Sequence, residues 1–196
     1  SVLSLEFHKT LLQMAEQAQI TLLRKTYEPG DLAGAFVVIA VTNDQPLIEA
    51  IWQETQERGQ PVNIADVPAY CSFILPSVLR RGQLTVTVST EGASPGLAKR
   101  VRQQLEETFS PAYGAYVDLA ALARGYLRQH GVPYGTRDAF VQDFMTSSVL
   151  ALLDAGEVIE ALTVTAKLLH TYGVDVQLAE LVRVFGKEQG DEAITV

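Results

Sequence analysis

Apolar positions at Phe7, Leu11, Met14, Ala15 and Ala18 recur every three or four residues, the spacing of one helical face, and Ser4 stands where that helix would be capped. A short β-rich run over 20–23 follows, and Tyr27-Glu28-Pro29-Gly30-Asp31 supplies turn chemistry. Residues 35–41 are apolar at every position, which predicts a strand buried on both faces in the middle of a parallel sheet. The run ends at Thr42-Asn43-Asp44. Asn43 or Asp44 then caps a helix with Pro46 in its first turn, an apolar face at Leu47, Ile48 and Ile51, and a stop at Gly59. Residues 61–65 read as another strand, ending at Asp66. Strand, helix and strand at this spacing predict a βαβ unit, with a right-handed crossover in a mostly parallel sheet.

The pattern changes after Asp66. Runs over 72–79 and 83–89 are β-rich and separated by Arg80-Arg81-Gly82, and Leu84, Val86 and Val88 alternate with Thr85, Thr87 and Ser89. Period two beside a tight turn predicts an antiparallel pair. Ser94-Pro95 opens a helix carrying Leu97, Ala98, Val101 and Leu105, with serine as cap and proline at its first position. From about Tyr113 the signals are helical, near 114–130, 138–153, 155–171 and 176–186.

Fifteen Lys and Arg against twenty-three Asp and Glu leave a formal charge of −8 over 196 residues. Such a balance argues against general nucleic-acid binding, which needs a basic face to displace counterions. The longest apolar run, 35–41, is far below the roughly 18 residues that cross a bilayer, so no membrane span is expected. The single Cys71 excludes an internal disulfide and a multi-cysteine metal site, and fits a reducing, cytoplasmic setting.

Ligands of open parallel sheets bind beyond the carboxyl ends of the strands. Two such ends are polar: Thr42-Asn43-Asp44, and Asn63 with Asp66. Helix capping alone would account for Asn43 and Asp44, and a turn before Val67-Pro68 for Asp66. The loop Ser89-Thr90-Glu91-Gly92-Ala93-Ser94-Pro95 leads small hydroxylated residues into a helix N-terminus, with Lys99 and Arg100 one turn on; that suits an anion, or simply a well-made helix start. His8, His130 and His170 are too scattered to chelate a metal from one helix, and Cys71 reads as a small hydrophobe.

Four ordered blocks carry a resemblance: residues 34–44 (Gly-Ala-Phe-Val-Val-Ile-Ala-Val-Thr-Asn-Asp), 62–68 (Val-Asn-Ile-Ala-Asp-Val-Pro), 72–77 (Ser-Phe-Ile-Leu-Pro-Ser) and 88–98 (Val-Ser-Thr-Glu-Gly-Ala-Ser-Pro-Gly-Leu-Ala). Together they resemble the bifunctional precorrin-2 dehydrogenase/sirohydrochlorin ferrochelatase family, a module also found in siroheme synthases, over roughly residues 1–110. The resemblance implies an α/β protein with an NAD-binding Rossmann-type domain over 1–68, a β-plus-helix dimerisation segment over 69–112 and an all-helical domain over 113–196. It implies a homodimer that oxidises precorrin-2 to sirohydrochlorin with NAD, in some members followed by Fe²⁺ insertion into that tetrapyrrole. The family's acid/base aspartate falls on Asp66, which could also steer the metal. Thr42, Asn43 and Asn63 would line the dinucleotide. Ser89, Thr90, Gly92, Ser94 and Lys99 would face the substrate, whose carboxylates call on a cationic cluster of Arg80, Arg81, Lys99, Arg100 and Arg102.

Thr90 and Glu91 depart from the family's serine and glycine, on the tetrapyrrole side, so they bear on chelation more than on oxidation. The family's opening strand and Gly-rich turn have no counterpart before Ser1, where 1–4 reads as the tail of a second strand, so about one βα unit is expected to be absent from the chain. That leaves residues 35–41 with an open apolar edge. Two other functions are carried beside the dehydrogenase: a non-catalytic tetrapyrrole-binding dimer, and a chelatase that needs no NAD.

Overall fold

A computed structural model describes residues 1–189. The chain divides into two compact units, residues 1–75 and the residues from Pro76 onward. In the first, β1 (Val2–Ser4), α1 (Lys9–Glu16) and β2 (Leu22–Arg24) form one parallel pair, with Ser4 opposite Arg24. Ser4 is therefore still strand, and the cap expected of it falls to His8, whose Nδ1 accepts from the Thr10 N–H. A second parallel pair follows: β3 (Val38–Ala40), α2 (Gln45–Arg58) and β4 (Val62–Ile64). Asp44 caps α2 by accepting from the Leu47 N–H, and Gly59 ends it in the left-handed conformation at φ 64°.

Val38, Ala40, Val62 and Ile64 pack with Ile48 and Ile51 of α2. The expectation that residues 35–41 are buried on both faces is corrected here: Ile39 is 56% and Val41 82% exposed. The reason is that β3 is only three residues long, is hydrogen-bonded to β4 alone, and has α2 on one face. The open edge expected of this segment is present.

The second unit opens with an antiparallel ribbon, β5 (Ser77–Arg81) and β6 (Leu84–Val88), in which Leu79 faces Val86 and Arg81 faces Leu84. The turn is Gly82-Gln83, so Arg80 and Arg81 belong to the strand rather than to the expected loop. Arg81 is held there because its Nε donates to Phe109 O at 2.8 Å. Gly82 has φ 55° and lies so close to α4 (Ala112–Gln129) that a Cβ on it would come within 3.1 Å of Gly114 Cα; two glycines are needed at this crossing. Between ribbon and α4 runs α3 (Pro95–Thr108), capped by Ser94 with Pro95 first, as the sequence indicates.

Four helices complete the described residues: α5 (Tyr134–Thr146), α6 (Val149–Asp154), α7 (Val158–Thr171) and α8 (Leu178–Gln189). The single helix expected over 138–153 is split because Ser147 is extended, its hydroxyl donating to Phe144 O at 2.7 Å and accepting from the Val149 N–H. Leu119, Leu127, Phe140, Leu162, Leu169, Leu181 and Phe185 are fully buried at the centre, each contributing on the order of 1.5–3 kcal/mol on removal from water. Beside them Phe109, Tyr113, Tyr116, Phe144, Phe140 and Tyr172 form a chain of rings with centroids 5.0–6.1 Å apart. No described helix is long and apolar enough to cross a membrane.

One buried carboxylate fixes the approach to β3. Glu54 of α2, 7% exposed, accepts from the Tyr27 hydroxyl at 2.5 Å, the Gly30 N–H at 2.9 Å and Arg58 Nε at 2.8 Å. Gln60 adds bonds from Nε2 to Leu32 O and Ala35 O. Burial pushes the Glu54 carboxyl up, but the bonds from Tyr27, Gly30 and Arg58 outweigh it and hold the group below the ordinary glutamate range. Burial, then the bond to Glu54, pushes the Tyr27 phenol up. Glu54→Ala leaves three donors without their acceptor and is expected to cost about 1–3 kcal/mol in urea unfolding. Because the carboxyl is lower folded than unfolded, its contribution is complete above the ordinary value of about 4.3 and is lost as pH falls through the folded value. Glu54→Gln should lack that acid-dependent part of the stability curve.

Candidate active site

Ala40 and Ile64 are paired in register, so the chain leaves β3 at Val41 and β4 at Ala65 on the same side of the pair. The Ala65 N–H donates to Ala40 O at 2.9 Å and ties the two exits together. Thr42, Asn43 and Asp66 all follow these exits. Thr42 Oγ1 accepts from the Asp44 N–H at 3.2 Å, which shapes the turn into α2, and Asp44 rather than Asn43 is the cap. Asn43 is exposed. Asn63 lies within β4, and its Nδ2 donates to Phe73 O at 2.9 Å. That amide nitrogen is committed to the protein's own backbone.

Asp66 is exposed and has φ 61°, in the left-handed region where an L residue other than glycine is strained. Aspartate tolerates that region better than most, and the conformation turns the chain away from the strand so that the carboxylate stands at the sheet's carboxyl end. The Val67 N–H donates to Ile64 O at 3.2 Å, and a 3₁₀ turn over Pro68–Tyr70 follows, its Tyr70 ring stacked on Trp52 at 5.0 Å.

The second group of predicted residues lies in the second unit, between β6 and α3. Ser89 Oγ accepts from the Glu91 N–H at 3.1 Å, Thr90 Oγ1 from the Ser94 N–H at 3.0 Å, and Ser94 Oγ from the Leu97 N–H at 3.3 Å. Each hydroxyl oxygen accepts from a backbone N–H of the loop or of the first turn of α3. Glu91 and Gly92 both have positive φ, 52° and 82°. Lys99 and Arg100 are exposed on α3, as is Arg80 on β5. The expected cationic cluster divides here: Arg81 is spent on Phe109 O and Glu106 O, and Arg102 on Glu106, whereas Arg80, Lys99 and Arg100 face solvent.

A cavity of about 840 Å³ in the second unit contains none of these residues. Its lining includes Gln83, Asp118, Tyr126 and Glu180, with Gln83 donating to Asp118 and Tyr126 to Glu180, each at 2.9 Å. Two carboxylates make it a poor receptacle for a polycarboxylate.

Residues 1–77 match the NAD(P)-binding family model, and residues 81–108 match the model for the central part of the sirohaem biosynthesis protein. The siroheme synthase of Methylobacillus flagellatus is 36% identical over 143 residues, covering 73% of this chain and 31% of that protein. That of Nitrosococcus oceani is 32% identical over 160 residues, covering 82% and 34%. The chain is similar to siroheme synthases over part of their length. It spans about a third of the length of these curated relatives. The solved structure of SirC, a precorrin-2 dehydrogenase, superposes with a TM-score of 0.68 over 84% of this chain and 80% of that one at 22% identity, which shows a shared fold.

A siroheme synthase relative with an NAD(P)-binding match raises the question of whether these residues suit a dinucleotide. The parallel β3–β4 pair and the polar exits at Thr42 and Asn43 suit the sugar and nicotinamide part. No two glycines in the 196 residues stand two apart, so the turn that cradles a pyrophosphate is not supplied by this sequence. No group of three His, Cys, Asp or Glu that could hold a metal occurs among the described residues. What sequence reasoning missed is that Cys71 Sγ accepts from the Ile64 N–H at 3.2 Å, because a cysteine in a β-rich run carries no sign of where its sulfur points.

Glu91 is the strained position of the 89–94 loop. Its φ of 52° suits the glycine that the family resemblance puts there. Glu91→Gly removes a left-handed strain of about 1–2 kcal/mol at an entropic cost of about 0.5–1 kcal/mol. The expected outcome is a small net gain in stability, read as a higher urea midpoint.

Proposed function

We propose that this protein oxidises precorrin-2 to sirohydrochlorin in siroheme biosynthesis, with NAD as hydride acceptor and Asp66 as general base. The observation that carries the reading is the succession of the two family matches along one chain, with Asp66 exposed at the carboxyl end of β4 within the first match. When bound, the dinucleotide supplies the hydride acceptor. Asp66 would receive the proton that leaves the tetrapyrrole as the C–H bond beside it is broken, so that hydride and proton together account for the two hydrogens lost. Thr42 and Asn43 would orient the dinucleotide at the exit of β3, and Asn63 would support it from within β4.

The substrate's carboxylates need cations, and Arg80, Lys99 and Arg100 are exposed for that role. The hydroxyls of Ser89, Thr90 and Ser94 would donate to the same groups, and Gly92 gives the loop its turn. We assign residues 69–112 to homodimerisation: the ribbon turns Val78, Arg80, Thr85 and Thr87 outward, and Leu97 of α3 is 53% exposed. The free thiol of Cys71 fits a reducing cytoplasm. In a chelation step Fe²⁺ would be a substrate, with Asp66 taking pyrrole protons.

The test uses the full-length protein with NAD and precorrin-2, following NADH and sirohydrochlorin absorbance. Wild type is expected to form both in equal amounts, and Asp66→Asn to lose at least about 10²-fold in kcat. Absence of NADH from the wild type, or unchanged turnover in Asp66→Asn, would overturn the reading. Fe²⁺ insertion into sirohydrochlorin measured without NAD separates a chelatase from a dehydrogenase.

A further inference from the structure

Backbone donors of a buried strand need partners on both edges, and β4 has a strand beside it only on the β3 side. Its other edge is closed by side chains. The Val62 N–H donates to Ser72 Oγ at 2.7 Å and the Ile64 N–H to Cys71 Sγ at 3.2 Å, while the Ser72 N–H donates to Val62 O at 2.8 Å. The Cys71 thiol is 3.3 Å from Ile64 O and 3.4 Å from Val67 O, within reach to donate to either. Between these ties, Asn63 donates to Phe73 O. Residues 62, 63 and 64 are thus bound to 72, 73 and 71, and the short loop that they close carries Asp66 near its start.

We propose that Asn63, Cys71 and Ser72 act together as positioning residues for Asp66, holding the strained turn that presents its carboxylate. The inference rests on the reading of Asp66 as the proton acceptor. A left-handed aspartate relaxes toward ordinary backbone angles unless both ends of its loop are fixed, and here they are fixed on one side by Ala65 to Ala40 and on the other by the Cys71 and Ser72 bonds. The sulfur occupies the place a neighbouring strand's carbonyl would take. Alanine at 71 would leave the buried Ile64 N–H without an acceptor and free the segment after Asp66.

The full-length protein carries the experiment, with Asp66→Asn, Cys71→Ala, Ser72→Ala, Cys71→Ser and the double variant Cys71→Ala/Asp66→Asn. A displaced base predicts a kcat lower by about 10- to 100-fold in Cys71→Ala and Ser72→Ala, with KM for NAD unchanged. Cys71→Ser, which keeps a group that both accepts and donates, should recover most of the loss, and it carries the test should Cys71→Ala fail to fold. In the Asp66→Asn background, Cys71→Ala should leave the residual rate where it was, since no carboxylate remains to be positioned. An equal loss in both backgrounds, or unchanged kcat in Cys71→Ala and Ser72→Ala while Asp66→Asn is inactive, overturns the positioning role alone. Full turnover in Asp66→Asn overturns the reading of Asp66, and the device with it.

Discussion

The architecture of the first unit depends on satisfying the backbone of β4. Val62 and Ile64 are almost wholly buried, so every N–H and C=O they carry must find a partner inside the protein. One edge is met by β3 in ordinary parallel register. The other is met by the chain folding back after a 3₁₀ turn and offering a hydroxyl and a sulfur in place of a strand. That return fixes where residues 65–70 run, and with them the carboxylate at the sheet's end. A local hydrogen-bonding requirement thereby determines the geometry of the candidate site.

A similar economy operates at the start of β3. Tyr27 and Leu32 of the segment before it pack on the same core, and Glu54 adds an anchor by gathering a phenol, a backbone N–H and a guanidinium around one carboxylate. A buried charge is costly alone, and tolerable with that many donors. Glu54 lies on α2, the helix whose apolar face also packs beneath β3 and β4, so the clamp and the core share one scaffold.

Elements whose pattern reflects their own neighbours were legible in the sequence. The alternation of Leu84, Val86 and Val88 marks β6, Ser94-Pro95 marks the start of α3, and Asp44 with Gly59 brackets α2. Asp66 was legible through family resemblance rather than through periodicity. Residues 35–41 look buried in the sequence because apolar character reports a preference for burial, and says nothing of how many strands are present to provide it. Arg81 looked like substrate chemistry because its charge is visible in sequence while its bond to Phe109 O is not. Ser147 was lost inside a helical stretch, since a serine that bonds its own backbone and ends a helix has the same letter as one that does not.

Charge is arranged in the second unit in a way that composition alone conceals. The chain is acidic overall, yet the exposed cations Lys99 and Arg100 follow a helix N-terminus whose loop hydroxyls are already oriented by backbone bonds. The 840 Å³ cavity is lined by Asp118 and Glu180. Two carboxylates disfavour a polyanion in the cavity, whereas the cations and helix N-terminus beside the 89–94 loop favour one there. Glu91 sits within the favourable loop and works against it twice, by its charge and by its left-handed backbone. Glycine would carry neither cost at this position.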